Sequence, residues 1–267
     1  MTEHRTVTLA VEPFADTSLL SFPSLSSIGG FSHCITTRPW NMAVHRGPDS
    51  DQAVDRRRRI CRKLGLPFEN LTAADQIHSA HVLRVLPTDR GRGREGRDTA
   101  IHFTDGLVCD LPGVPVIQFS ADCPIIIVVE PRRRILGTAH ASWRGTIARI
   151  ALELIRQLVR EFAVQPDELI AAVGPCAGAT EYEVGDEVFR IALAQLADAE
   201  RHFPVHGGKR CFDLRSANVA QLIQAGVRPD RISVADESTM SDPRFFSHRR
   251  DGESTGRFAI IAGIREA

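Results

Sequence analysis

The stretch Ala121-Asp122-Cys123-Pro124, Ile125-Ile126-Ile127-Val128-Val129-Glu130, Pro131-Arg132-Arg133-Arg134, Ile135-Leu136-Gly137-Thr138-Ala139 and His140-Ala141-Ser142-Trp143-Arg144-Gly145 decides how this chain is read. Two β-branched apolar runs flank a short polar turn, which predicts an antiparallel hairpin over Ile125–Glu130 and Ile135–Ala139. A hairpin returns its far end to its start. Cys123, just before the first strand, and His140, just after the second, therefore meet. Arg144 follows at the mouth of the next helix.

Outward from the hairpin, further strands are expected at His81–Leu86, Val114–Phe119, Leu169–Val173, Ile232–Ala235 and Arg257–Ile261. Helices are expected at Asp51–Leu64, Thr146–Phe162, Val184–Ala197 and Leu214–Ala225. The second has the clearest apolar stripe, with Ile147, Ile150, Ala151, Leu154, Ile155 and Leu158 on one face. Strands and helices do not alternate regularly, so the class is α+β rather than a repeated βαβ barrel. No repeat or low-complexity linker divides the chain. The Arg/Gly-rich segment Asp89 to Arg97 is the most loop-like.

Composition sets bounds on function. The chain has 267 residues, 43% of them hydrophobic, which is enough for a sizeable core. Its 33 basic and 33 acidic side chains cancel, and a nucleic-acid binder would carry a basic excess. Arg56 to Arg59 read as the solvated face of a helix. Six dispersed cysteines without a CxxC pair, and no basic-plus-apolar opening segment, predict free thiols in a reducing cytoplasm. The longest apolar stretch, around Val114 to Val129, is interrupted by Asp122, Cys123 and Pro124, and no membrane span is expected.

The chemistry-bearing residues fall in separate segments. Gln76-Ile77-His78 precedes a strand, Cys123 opens the hairpin, and His140 closes it. One thiolate and two imidazoles suit zinc, with a fourth position left for water or substrate. Copper accepts the same set. A metal-free alternative uses Cys123 as nucleophile and His140 as base. Arg144, near a helix N-terminus, suits an anion, and a surface ion pair with Glu183 or Asp186 is its bland alternative. Trp143 packs under the helix or stacks on a flat ligand. Gly174-Pro175-Cys176-Ala177-Gly178 permits close backbone approach. Phe245 to Gly252 reads equally as a substrate-lining loop or as a salt-bridged turn.

These motifs, in order, resemble the YfiH family: Gln-Ile-His at 76–78, Ala-Asp-Cys-Pro at 121–124, His-Ala-Ser-Trp-Arg-Gly at 140–145, Gly-Pro-Cys at 174–176, Tyr-Glu-Val-Gly at 182–185 and Phe-Phe-Ser-His-Arg-Arg-Asp-Gly at 245–252. That family has been labelled multicopper polyphenol oxidase, or laccase domain, and is now described as purine nucleoside phosphorylases. The resemblance spans about Phe31 to Ile264. It implies one layered α/β/β/α domain over residues 1–267, like cytotoxic-necrotizing-factor-like proteins. It implies zinc on His78, Cys123 and His140, which are then both ligands and catalytic residues, and substrate contacts from Arg38, Gln76 and Arg144.

It further implies phosphorolysis of adenosine, inosine and methylthioadenosine, with some adenosine deamination. A copper-dependent polyphenol oxidase, a Cys-His hydrolase and a peptidoglycan-precursor editing factor are the alternatives. The expected partners are a nucleoside and phosphate, with no nucleic acid and no membrane, and the chain is expected to be a monomer or weak homodimer. Three departures stand out. Ser142 and Ser238 replace the family's usual glycine and cysteine. The Thr37-Arg38-Pro39-Trp40-Asn41 segment lacks the usual glycine-rich insertion.

Overall fold

The computed structural model describes residues 4–266. Its centre is the expected hairpin. Ile125–Glu130 and Ile135–His140 pair antiparallel, with His140 opposite Ile125. Successive side chains of a strand point to opposite faces. Ile125, Ile127 and Val129 enter one apolar cluster, while Ile126 and Val128 enter another. The unbroken apolar run is therefore a strand buried on both faces.

The hairpin sits inside a seven-stranded mixed sheet. Its spatial order is Arg5–Val7, Ile232–Ala235, Ile170–Val173, Ile125–Glu130, Ile135–His140, Gly106–Cys109 and Val82–Arg84. A second sheet has the order Ala10–Phe14, Thr17–Ser21, Phe31–Thr36, Phe258–Ile264, Val116–Ser120 and Thr72–Ala73. Leu20, Phe31, Ile35, Val116 and Ile260 of the second sheet pack against Ile125, Ile127 and Val129 of the first. Helices Ile150–Phe162 and Leu214–Gln224 cover the outer face of the first sheet through Leu154, Ile155, Leu158, Val219 and Leu222. Helix Ala53–Leu64 covers the second through Ile60 and Cys61. The result is the expected α/β/β/α stack. No helix among the described residues is long and apolar enough to cross a membrane.

Two expectations are corrected. The helix expected over Thr146–Phe162 is two helices, Trp143–Ile147 and Ile150–Phe162, separated by Arg149 in a left-handed conformation at φ 66°. At the break the Thr146 carbonyl has two donors, one of them the Arg149 amide at 3.0 Å. The Gln221 side chain donates to the Thr146 carbonyl at 2.8 Å, where an uninterrupted helix would bond it to Ile150. The chain starts helical structure early because Ser142 Oγ caps it, accepting from the Gly145 amide at 3.1 Å.

The second correction concerns the arginine face of the Ala53–Leu64 helix. Arg56 and Arg57 are buried, and Arg57 is only 1% exposed. Arg57 donates to the carbonyls of Met42, Gly93 and Arg94, and its guanidinium lies over the Phe119 ring. Guanidinium donors satisfied by loop carbonyls can be buried, so a run of arginines does not guarantee a solvated face. Strands Arg5–Val7 to Phe31–Thr36 and Gly106–Cys109 were not anticipated; several are short, and Ala10–Phe14 is an almost wholly exposed strand containing Pro13.

His33 in this stack gives a pH prediction. Its Nε2 accepts the Phe22 amide at 2.9 Å, and burial pushes its pKa down to about 4. The native ring stays neutral where the unfolded ring, with a pKa of about 6.5, takes up a proton. Stability should therefore fall as pH drops from about 6.5 towards 4, by up to about 3 kcal/mol. Denaturant unfolding across that range should show the loss, and His33→Gln, which keeps an acceptor for Phe22, should remove that part of it.

Candidate active site

The hairpin ends, the Gln76–Ser79 loop and three further segments enclose a cavity of about 600 Å³, the size of a small-molecule site. His78, Cys123, His140, Gln76 and Arg144 all line it. The hairpin register explains the meeting of Cys123 and His140. The approach of His78 has a different cause, which is Asp105.

Asp105 is fully buried at the start of the Gly106–Cys109 strand. Its carboxylate accepts from the backbone amides of Ile77, His78 and Ser79 at 3.1, 3.0 and 2.7 Å, and from Ser79 Oγ at 2.9 Å. Its Oδ1 also lies 2.9 Å from His140 Nδ1, and its carbonyl accepts the His140 amide at 2.8 Å. One residue thus holds both histidine segments. The loop is bent tightly enough to put Gln76 and His78 at φ 51° and 65°, and the hydrogen bonds to Asp105 offset that conformation. Gly145 completes the fit, because a Cβ there would come within 2.8 Å of the Ser79 carbonyl.

The two imidazole centres stand 5.2 Å apart. Burial and the neighbouring His140 push His78 down to about 4, so it is a neutral ring with a free lone pair at pH 7. Burial also disfavours the His140 cation. The charge of Cys123 and the Asp105 hydrogen bond outweigh it, and His140 is pushed up to about 9. Burial likewise opposes ionisation of Asp105, but the hydrogen bonds from His140 and Ser79 hold its carboxyl below the usual range.

A second carboxylate fixes the thiol segment. Asp122, buried and at φ 91°, accepts from Thr239 Oγ1 and from the Arg249 amide, each at 2.7 Å, and its carbonyl accepts the Ala177 amide. Ser120 Oγ donates to the Cys123 carbonyl at 2.6 Å. The Ala-Asp-Cys-Pro, Gly-Pro-Cys and Ser-His-Arg segments therefore converge through Asp122. Cys176 itself is buried below, with Arg215 Nε 3.3 Å from its sulfur.

Gln76 faces the cavity, but both ends of its amide are bonded to the backbone of Phe119, each at 2.8 Å. It positions the loop rather than offering free donors to a substrate. Arg144 lies over the Trp143 ring at 4.1 Å, and both line the cavity. The bland alternative for Arg144 is not realised, since Glu183 pairs with Lys209 and Asp186 with Arg210. Arg38 is corrected: it does not line the cavity. Its guanidinium pairs with Asp251 at 3.3 Å and lies over Phe246.

Of the 245–252 motif, Phe245 and Phe246 are core, Ser247 caps a helical turn, and His248 and Arg249 line the cavity. Ser238, at a departure from the family pattern, donates to the Glu181 carboxylate. Sequence reading missed Asp105 altogether and gave Asp122 no role. It also missed His45, Arg46, Arg97 and Arg257 in the cavity wall.

A zinc ion bonds imidazole nitrogen at about 2.0–2.1 Å, which puts the centres of two ligating rings on a tetrahedral ion roughly 5 Å apart. The observed 5.2 Å fits. The carboxylate on His140 Nδ1, which leaves Nε2 available, is the usual outer-shell arrangement of a ligating histidine. Among the described residues, no group of three His, Cys, Asp or Glu side chains is placed to hold a metal ion as the side chains stand. The donor chemistry and the imidazole spacing suit the ion, and the thiol lines the same cavity.

Comparison with known proteins adds the following. Residues 25–265 match the family model described as multi-copper polyphenol oxidoreductase laccase. The purine nucleoside phosphorylase YlmD of Geobacillus stearothermophilus is 36% identical over 230 residues, covering 85% of this chain and 84% of that protein. An adenosine deaminase, RL5, from an unknown prokaryotic organism is 34% identical over 221 residues, covering 81% and 84%. The crystal structure of the hypothetical protein YfiH of Bacillus licheniformis superposes with a TM-score of 0.86 at 27% identity, covering 96% of this chain and 99% of that one.

Asp105→Asn tests the construction of the site. An asparagine presents two donors to a cluster that needs an acceptor, and breaking such a buried pair costs about 3–5 kcal/mol. Because the native Asp105 pKa is depressed, its stabilisation is complete above the unfolded value of about 3.9 and is lost as pH falls through the native value. Urea unfolding of the two proteins should differ by that amount at pH 7, and the gap should narrow below about pH 4.

Proposed function

The chain belongs to the family described as multi-copper polyphenol oxidoreductase laccase, and we propose that it is a zinc-dependent purine nucleoside phosphorylase. Its substrates are adenosine, inosine and methylthioadenosine. In the reaction a phosphate oxygen bonds to ribose C1′, the C1′–N9 bond breaks, and the base leaves with a proton. The observation that carries the reading is one nucleoside-sized cavity joining a thiol and two imidazoles to several arginines. The named activity of the Geobacillus relative supports it.

His78, Cys123 and His140 would hold the ion, which when bound supplies a Lewis acid and a water of lowered pKa. Asp105 orients His140 through Nδ1 and fixes the His78 backbone. Gln76 holds the loop against Phe119. Trp143 and Tyr182 offer flat apolar surface for a purine, and Arg144 and Arg249 lie on those two rings. Deamination of adenosine is a second use of the same cavity, in which water adds at purine C6, ammonia leaves and the C1′–N9 bond stays intact, and the name of the RL5 relative supports it.

A second reading draws on Cys123, His140 and Asp105 as nucleophile, base and orienting carboxylate, in the order of a Cys-His-Asp hydrolase. The two separate cleanly. The phosphorylase forms ribose-1-phosphate and adenine from adenosine only when phosphate is supplied, carries near-stoichiometric zinc rather than copper, and loses both in Cys123→Ala. The hydrolase acts on an amide without phosphate, ignores chelators and is blocked by a thiol reagent. Metal analysis and product chromatography with and without phosphate decide between them.

A further inference from the structure

Guanidiniums crowd one end of the cavity. Around His45 stand Arg46, Arg57, Arg97 and Arg257, all lining the same cavity. The ion pairs of the described residues include the neighbouring Arg56 and Arg58 but none of these four. None of the acids that line the cavity forms an ion pair with the cluster, though the charge of Asp122 acts on Arg257. Asp122 is engaged by Thr239 and Arg249, Asp75 faces His102, and Glu253 is exposed.

The cluster is built, since two buried side chains staple the segments that carry it. Arg57 donates to Met42 on one side and to Gly93 and Arg94 on the other, joining the segment of Arg46 to that of Arg97. Asn41, fully buried, donates to the Arg46 carbonyl at 2.7 Å and accepts the Arg257 amide at 2.9 Å. Like charges held together without counter-charge are costly unless an anion occupies the space between them.

We propose that this end of the cavity, formed by Arg46, Arg97 and Arg257 beside His45, is the binding site for inorganic phosphate. It rests on the phosphorylase reading for the identity of the anion. Arg257 lines the cavity together with Cys123 and His78, so phosphate held here shares one enclosure with the thiol–imidazole centre. Arg257 still has guanidinium N–H groups to give, because only Nη1 is bonded, to the Thr255 and Gly256 carbonyls. Arg46 and Arg97 are exposed at the rim and admit the anion from solvent. The purine then falls to the side of Trp143 and Tyr182, whose rings carry Arg144 and Arg249.

The test uses the zinc-loaded enzyme and inorganic phosphate at constant ionic strength. Burial and the surrounding Arg97, Arg46, Arg257 and Arg57 hold the His45 pKa below its ordinary value. Bound phosphate should raise it saturably, as read by NMR of the ring. Arg46→Gln/Arg97→Gln should leave fold and zinc content intact, weaken that response about tenfold or more, and raise the phosphate KM by a similar factor with the adenosine KM nearly unchanged. Arg257→Lys should keep part of the affinity. If the double variant phosphorolyses adenosine with the wild-type phosphate KM and His45 never responds, phosphate binds elsewhere while the phosphorylase reading survives. If no nucleoside is phosphorolysed but His45 responds in the wild type and not in the variant, the site stands and the reading falls. A loss of zinc or of fold in the double variant would make the rim arginines structural and overturn the proposal.

Discussion

Asp105 is one carboxylate with five donors: three consecutive amides, a serine hydroxyl and the His140 ring. Each bond to a buried carboxylate is charge-assisted. The consequence is geometric. The histidine of a loop some sixty residues before the second hairpin strand is held at a fixed distance from the histidine that ends that strand. Without this acceptor, the three amides of the bent loop would lose their one protein partner, and nothing would offset its left-handed turns.

The layered stack provides what Asp105 requires. Both faces of the central hairpin are apolar and covered, so the carboxylate sits where water does not compete for its donors. Asp122 repeats the arrangement on the thiol side. It draws the Gly-Pro-Cys turn, Thr239 and the Arg249 amide to the residue before Cys123. Two carboxylates, each next to a chemically active residue in sequence or in space, thus assemble a cavity from six segments. The guanidiniums of the cavity wall follow the same logic with opposite sign: buried Arg57 spends its donors on loop carbonyls and so fixes where the rim arginines stand.

Much of this was legible in the sequence. The apolar runs about Pro131 to Arg134 predicted the hairpin, and with it the approach of Cys123 and His140 that the observed register produces. Motif order led to the family and the layered fold. What could not be read was any interaction set by long-range polar bonding. Asp105 looks like an ordinary turn residue before a short strand, and nothing local marks it as an acceptor for Ile77 or His140. At the Trp143–Phe162 break the Thr146 carbonyl also accepts from Gln221, 75 residues away. Arg57 follows a helical position that pattern alone placed outward, and only the carbonyls of two distant loops explain its burial. Arg38 entered by resemblance, and its pairing with Asp251 lies beyond any local signal.

Amide hydrogen exchange at Ile77, His78 and Ser79 tests the role of Asp105 most directly. In the wild type these three amides should be protected together despite lying in a partly exposed loop, and in Asp105→Asn they should exchange rapidly while the amides of Ile125–Glu130 stay protected. Unchanged protection at all three in the variant would contradict the account, because the loop and its histidine would then be held by something other than this carboxylate.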